Sequence, residues 1–190
     1  MTLHDLVKKN RSYRRFHQDV RVARETLVRL VDLARLSPSG ANLQPLKYVL
    51  VAEPAGCAAV FPHLAWAGYL KEWPGPVEGE RPAAYIVMLH DKRIRPAIEH
   101  DAGIAAQSIM LGAVEQGLGG CIIQSIKRPE LRAVLAIPED FEVLLVLALG
   151  KPKETVVLEP LGPEGDVKYW RDAAAGHHVP KRALDDIILR

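Results

Sequence analysis

Cysteine is nearly absent from this chain. Cys57 and Cys121 are the only two in 190 residues. They are far apart and make neither a CxxC pair nor a disulfide framework, which fits a reducing compartment. Long apolar runs are missing as well. The stretch 143–149 (VLLVLAL) falls far short of the roughly 18–20 residues a membrane span requires. The first ten residues, MTLHDLVKKN, contain no apolar stretch suited to a signal peptide. A soluble, cytoplasmic protein without a membrane partner is therefore expected. Charge of one sign is scarce: the net charge is +2, which argues against a dedicated nucleic-acid binder. There is no internal repeat and no low-complexity tract. No Walker loop, Ser-His-Asp signature or paired-carboxylate arrangement stands out, against hydrolase and phosphoryl-transfer chemistry.

What remains is an ordinary globular mixture, 48% apolar and 25% charged, of a size for a single domain over 1–190. Residues 2–9 read as a short helix capped by Thr2, and 24–36 as an amphipathic helix with Leu27, Leu30, Val31 and Ala34 on one face. Strands are expected at 47–53, 84–90, 121–125 and 141–150, the last buried and central because its apolar run is unbroken. A helix from about 96 to 116 is apolar nearly all round, so it needs cover from a sheet and from a second subunit. A short helix follows at 128–137, with Pro129 in its first turn. Residues 54–82 are the least regular part, with a helical segment expected around 62–72 followed by a mobile loop. The tail is loop-rich, with short strands at 167–170 and 177–180 and a closing helix at 181–189. Helices around a mixed sheet, an α+β layer, fit this order best.

The glycines Gly117, Gly119 and Gly120 follow a helix and precede a strand. A dinucleotide-binding loop has the opposite order, so they read as a helix C-cap and tight turn.

Four segments carry candidate chemistry. Arg11, Ser12, Arg14 and Arg15 gather guanidiniums and a hydroxyl that match phosphate oxygens, although a solvated basic turn has the same composition. Pro38, Ser39, Asn42 and Gln44 lie in a loop whose amides suit the N–C=O edge of a pyrimidine-like ring; from the residues alone, plain loop chemistry is the favoured reading. Gln124 and Ser125 follow a strand end, where backbone amides can meet a ligand. Lys181 and Arg182 suit an anion or a solvated helix start. The adjacent His177 and His178 point to opposite faces of an extended strand, and His90, His100 and Asp101 have no HExxH spacing, so no metal is expected. Cys121 reads as a small buried hydrophobe.

In these same segments the chain resembles nitroreductase-family flavoproteins. NRSYRRF is similar to their RRSxRxF signature, and ARLSPSGANLQPLKYVLV to their APSxxNxQPWxFxVV segment. DAGIAAQSIMLGAVEQGLGGC resembles their central helix and turn, and HHVPKRALDDII their PKxR segment with its acidic helix. Leu46 departs from the family aromatic and Gly40 from the usual serine or alanine. The resemblance implies an α+β fold with a mixed, mainly antiparallel sheet flanked by helices, an intertwined homodimer, and FMN at the subunit interface. Arg11, Ser12 and Arg14 would hold the phosphate and ribityl chain, with Lys181 and Arg182 closing on the phosphate. Pro38, Ser39, Asn42 and Gln44 would reach the flavin from the partner subunit, and Gln124 and Ser125 its N5 and O4 edge through backbone amides. Residues 54–82 would form the lid, with Trp66, Tyr69 and Trp73 as pocket or core residues. The implied activity is ping-pong hydride transfer from NADH or NADPH, through flavin N5, to a flat electron-poor acceptor. No catalytic side chain is required, because the flavin carries the chemistry. Dehalogenation, enone reduction or flavin destruction on the same scaffold stay open, as does a storage, sensing or partner role.

Overall fold

The longest apolar runs become the central strands, and the amphipathic segments become the helices that cover them. The computed structural model describes residues 1–94 and 100–189. Helix α1 spans Leu3–Lys9, β1 Phe16–His17, α2 Arg24–Leu36, β2 Leu46–Val51, α3 Pro54–Val60 and β3 Ala84–Asp91. Then come α4 (Asp101–Glu115), β4 (Gly119–Ile123), α5 (Arg128–Val134), β5 (Phe141–Pro152), β6 (Val156–Pro160), β7 (Trp170–Arg171) and β8 (His177–Lys181).

Strand β5 organises the main sheet. β3 pairs along it antiparallel, with β2 antiparallel beyond, while β4 and β1 pair antiparallel with its C-terminal half. Both faces are covered, so every residue of β3 is buried and the usual apolar-polar alternation disappears. On one face Ile86, Met88, Leu147 and Leu149 pack with Leu27 and Leu30 of α2 and Ile109 of α4. On the other, Tyr85, Val87, Val146 and Ala148 meet Val60 of α3 and Leu131 of α5. A smaller sheet follows, β6 parallel to β8 and β7 antiparallel to β8. The α+β class with a mainly antiparallel sheet is as expected. Among the described residues, no helix is long and apolar enough to cross a membrane.

Local chemistry explains the element ends. Thr2 and Asp5 form a capping box that satisfies the first amides of α1. Gly117, at φ +72°, ends α4 in the left-handed region.

Four expectations change. The helix awaited at 62–72 lies earlier, at Pro54–Val60, because Pro54 pre-sets its first turn, and a 3-10 turn through Phe61–His63 then ends in extended Leu64. The closing helix at 181–189 is only a 3-10 turn, Leu184–Asp186. Within one chain its apolar side chains Leu184, Ile187, Ile188 and Leu189 are all exposed, so no intrachain packing supports a longer helix. Gly119 and Gly120 belong to β4 rather than to the turn, since a Cβ on Gly120 would lie 2.2 Å from the Ala148 carbonyl oxygen. The strand β6 was not anticipated. The expected start of α4 near residue 96 falls within 95–99, outside the described residues.

Candidate functional site

The N-terminal basic segment is sewn onto β4. Ser12 bridges Gly120, and Tyr13 N donates to the Gly120 carbonyl at 2.9 Å. Glu154, between β5 and β6, holds the same segment from the other side. Its carboxylate accepts the backbone N–H of Arg14, that of Arg15 at 3.2 Å and Nη2 of Arg171 at 3.0 Å. Strand alternation then sends His177, Val179 and Lys181 of β8 toward the arginines, while His178 and Pro180 face away.

The result is a cleft of about 340 Å³ lined by Asn10, Arg11, Ser12, Arg14, Lys181 and His177, with Gly120, Ile122, Gln107 and Met110 as its apolar and polar floor. Among the described residues, three cations line it and no carboxylate does. Arg14 is 8% exposed and fixed: its guanidinium contacts the Ser12 carbonyl at 3.2 Å and His177 Nε2 at 3.0 Å, and lies 4.7 Å from the Tyr169 ring centroid. Because arginine only donates, His177 Nε2 accepts and the ring proton sits on Nδ1. Burial, with Arg14 and Arg171 nearby, pulls the His177 imidazole down to about 4, so it is neutral at pH 7.

Two buried donors in this lining have no partner among the described residues: Arg11 Nε and His177 Nδ1. Arg11 Nη2 donates to the Val7 carbonyl at 2.7 Å, which steadies the guanidinium and leaves Nε available. Burial lowers the Arg11 pKa, the mark of a guanidinium held partly out of water, and an anion beside it would offset that desolvation. A cleft with three cations, a serine hydroxyl and unpaired buried donors fits a phosphate monoester.

Other candidates lie elsewhere. Arg15 points out of the cleft and grips Glu80 through Nε at 2.6 Å and Nη2 at 2.7 Å, holding that carboxyl down at about 2. Arg182 is exposed beyond β8 and does not line the cleft. Pro38, Ser39 and Gln44 border a separate pocket of about 200 Å³ with Tyr48, Asp101 and Ala105. Asp101, at the start of α4, shapes that loop by accepting Ser39 Oγ at 2.7 Å and Gly40 N at 3.0 Å. Ala41, Asn42 and Gln44 are left-handed there, at φ 51°, 55° and 52°. Asn42 and Gln44 are exposed and bond each other at 3.2 Å. The cleft and this pocket share no residue, yet α4 contributes to both.

Gln124 and Ser125 are exposed just past β4; Ser125 borders another cavity with Trp66 and Trp73. Trp66 is a core residue at 9% exposure, packed on Phe61. Tyr69 packs at a tilt on Tyr169 with centroids 4.9 Å apart, and the Trp73 ring centroid lies 4.1 Å from the Arg171 guanidinium. Tyr69 and Trp73 thus reach Tyr169 and Arg171 at the small sheet, while Glu78 and Glu80 reach back to Gln18 and Arg15. Cys57 and Cys121 are buried free thiols, and no metal-ligand cluster exists among the described residues. Sequence reasoning missed His177 and Tyr169 in the cleft; the parity of His177 with Lys181 on one strand was the available signal.

The Nitroreductase family model matches residues 7–151, about three-quarters of the chain. The chain belongs to the nitroreductase family. Its nitroreductase relatives are distant. An iodotyrosine deiodinase from Thermotoga neapolitana is 23% identical over 87% of this chain and 95% of its own length. A relative from Archaeoglobus fulgidus, provisionally named an NADH dehydrogenase/NAD(P)H nitroreductase, is 25% identical over 74% of this chain and 80% of its own. The structure of an FMN-dependent nitroreductase from Clostridium difficile R20291 matches at 26% identity with a TM-score of 0.65, covering 80% and 88% of the two chains.

Proposed function

We propose that this protein is an FMN-dependent NAD(P)H oxidoreductase that works as a homodimer with the flavin at the subunit interface. The observation that carries the reading is the cleft, where Arg11, Ser12, Arg14 and Lys181 converge and Arg11 Nε is buried without a partner. Arg11 and Lys181 would bind the phosphate through charge-assisted hydrogen bonds, and Ser12 would add a neutral one. Arg14, already fixed by His177 and Tyr169, would contribute positive potential without reorganising. Gln124 and Ser125, at the exit of β4, are suited to donate backbone N–H groups to the flavin edge. Pro38, Ser39, Asn42 and Gln44 would serve the partner's flavin, because within one chain they open on a different pocket. The exposed stripe of α4, with Ile104 and Gln107, supports a partner on that face.

The chemistry supplied by bound FMN is hydride transfer from NAD(P)H and then, ping-pong, to a flat electron-poor acceptor such as a nitroaromatic or quinone. The protein's part is to hold the phosphate, position the ring and keep water from it. The likeness to a deiodinase favours reductive dehalogenation as the second reading on the same scaffold.

The purified protein should be yellow, or become so with FMN, and anaerobic mixing with NADH or NADPH should bleach the flavin band within seconds. A colourless protein that takes up no FMN would defeat the proposal, and FMN binding without bleaching would leave a storage or sensing role. Comparing a nitroaromatic, a quinone and an iodinated phenol as oxidants then separates the two enzymatic readings.

A further inference from the structure

A further cavity, of about 530 Å³, opens between the turn after β1, the start of α3 and residues 78–83. Pro54, Ala58, Pro82 and Ala83 give it apolar walls, and Cys57 and Tyr85 lie at its inner side. It shares no residue with the cationic cleft.

What distinguishes it is a surplus of donors. Tyr85, near the start of β3, is 0% exposed, and its hydroxyl has no partner among the described residues. Arg81 Nε is also buried and unpartnered. The Arg81 guanidinium is locked in place: Nη1 bonds Glu78 at 2.7 Å and the group lies 4.2 Å from the Phe61 ring centroid. Arg21 stands on the exposed rim, near enough to bias the Cys57 thiol toward ionisation. The lining acceptors are engaged or peripheral. Gln18 Oε1 takes the N–H groups of Gly79 and Arg81, the Glu78 carboxylate takes Gln18 and Arg81, and Asp19 is exposed. Burial keeps the Tyr85 phenol protonated, well above its ordinary value, and holds Cys57 neutral at about 11. Two buried donors beside one cavity whose acceptors are engaged elsewhere or exposed are unfavourable unless something docks there.

We propose that this cavity binds a small monocarboxylate with an apolar body. The carboxylate would be taken by Arg81 Nε, Tyr85 Oη and Arg21, and the body would rest on Pro54, Ala58 and Pro82. A ligand without an acceptor would leave Arg81 Nε and the Tyr85 hydroxyl unmatched, and a bare anion would leave the apolar walls wet.

Isothermal titration of the full-length protein, with FMN in excess, tests this using phenylacetate, acetate and phenylacetamide as probes. Phenylacetate should bind with one saturable site per chain, and acetate and phenylacetamide about tenfold or more weakly. Tyr85→Phe should weaken phenylacetate about tenfold. The same change should leave FMN content unaltered and the empty protein at least as heat-stable, since it removes only an unpaired buried hydroxyl. Ala58→Leu, at an exposed position of α3, should block the apolar half without touching a donor. The flavin absorption should not move on saturation. Solvent alone filling the cavity would give no binding heat and would overturn the proposal. So would equal affinity for the amide, indifference to both substitutions, or a shifted flavin band that puts the probe beside the ring instead.

Discussion

The central sheet and the small C-terminal sheet are held by different forces. In β3 every residue is buried, and the sheet is sandwiched between apolar helix faces. In β6–β8 only His177 is buried, and the contacts are ionic and aromatic. His178 sits between Glu159 at 2.9 Å and Asp172 at 3.0 Å, with Trp170 stacked 4.1 Å away. Arg171 and Glu154 tie this sheet to the arginine segment. The cationic cleft lies on the seam between the two. An apolar core cannot house three cations, and a solvated surface would let them swing freely. The seam fixes Arg14 through polar partners while leaving Arg11 Nε and Lys181 open to a ligand.

The largest test of this contrast is Glu154→Ala. The Glu154 side chain is fully buried and holds two backbone amides and Arg171, so its loss should cost about 3–5 kcal/mol. Hydrogen exchange should rise in β6–β8 and the N-terminal segment while β3 and β5 stay protected. Uniform loss of protection would mean the two sheets are one cooperative unit.

Gly120→Ala tests the apolar side. Its Cβ would meet the Ala148 carbonyl oxygen at 2.2 Å and the Met110 methyl at 3.0 Å, so β4 must move off β5. A loss of about 1–3 kcal/mol is expected, spread over the whole central sheet. An unchanged melting temperature would show that β4 is not closely packed there.

The smallest effect is a matter of pH. His177 titrates near 4 when folded and near 6.5 when unfolded, so the unfolded chain binds more protons between those values. Its contribution to stability is present above pH 6.5 and is lost as pH falls toward 4. His178 runs the other way. Asp172 and Glu159 raise it, so its stabilisation is full below its ordinary value and fades as pH climbs through the raised one. His177→Gln should therefore flatten the acid limb of stability against pH, and His178→Gln the limb above neutrality. Identical profiles for both variants would erase the distinction between the two faces of β8.

Much of the frame was legible in the sequence because periodicity is strong where burial is one-sided. α2 has the expected ends, and β3 and β5 differ from expectation by only one or two residues. Aromatic residues at 61–73 imitated a helix, whereas Pro62 and the docking of Tyr69 and Trp73 on distant partners decide that stretch. The apolar pattern at 184–189 suggested a helix, but within one chain it finds no surface to cover and makes only a 3-10 turn. In the site, Arg11, Ser12, Arg14 and Lys181 come together as their chemistry suggested. Arg15 does not, because Glu80, far away in sequence, captures it; no local signal reveals such a choice.

The most direct measurement compares FMN with riboflavin, which lacks the phosphate. By fluorescence quenching, the wild-type protein should bind FMN about a hundredfold or more tightly than riboflavin. In an Arg11→Ala, Lys181→Ala variant with unchanged circular dichroism, that preference should fall to about tenfold or less. Equal affinity of the wild-type protein for both flavins, or an undiminished preference in the variant, would place the phosphate elsewhere and contradict the assignment of this cleft.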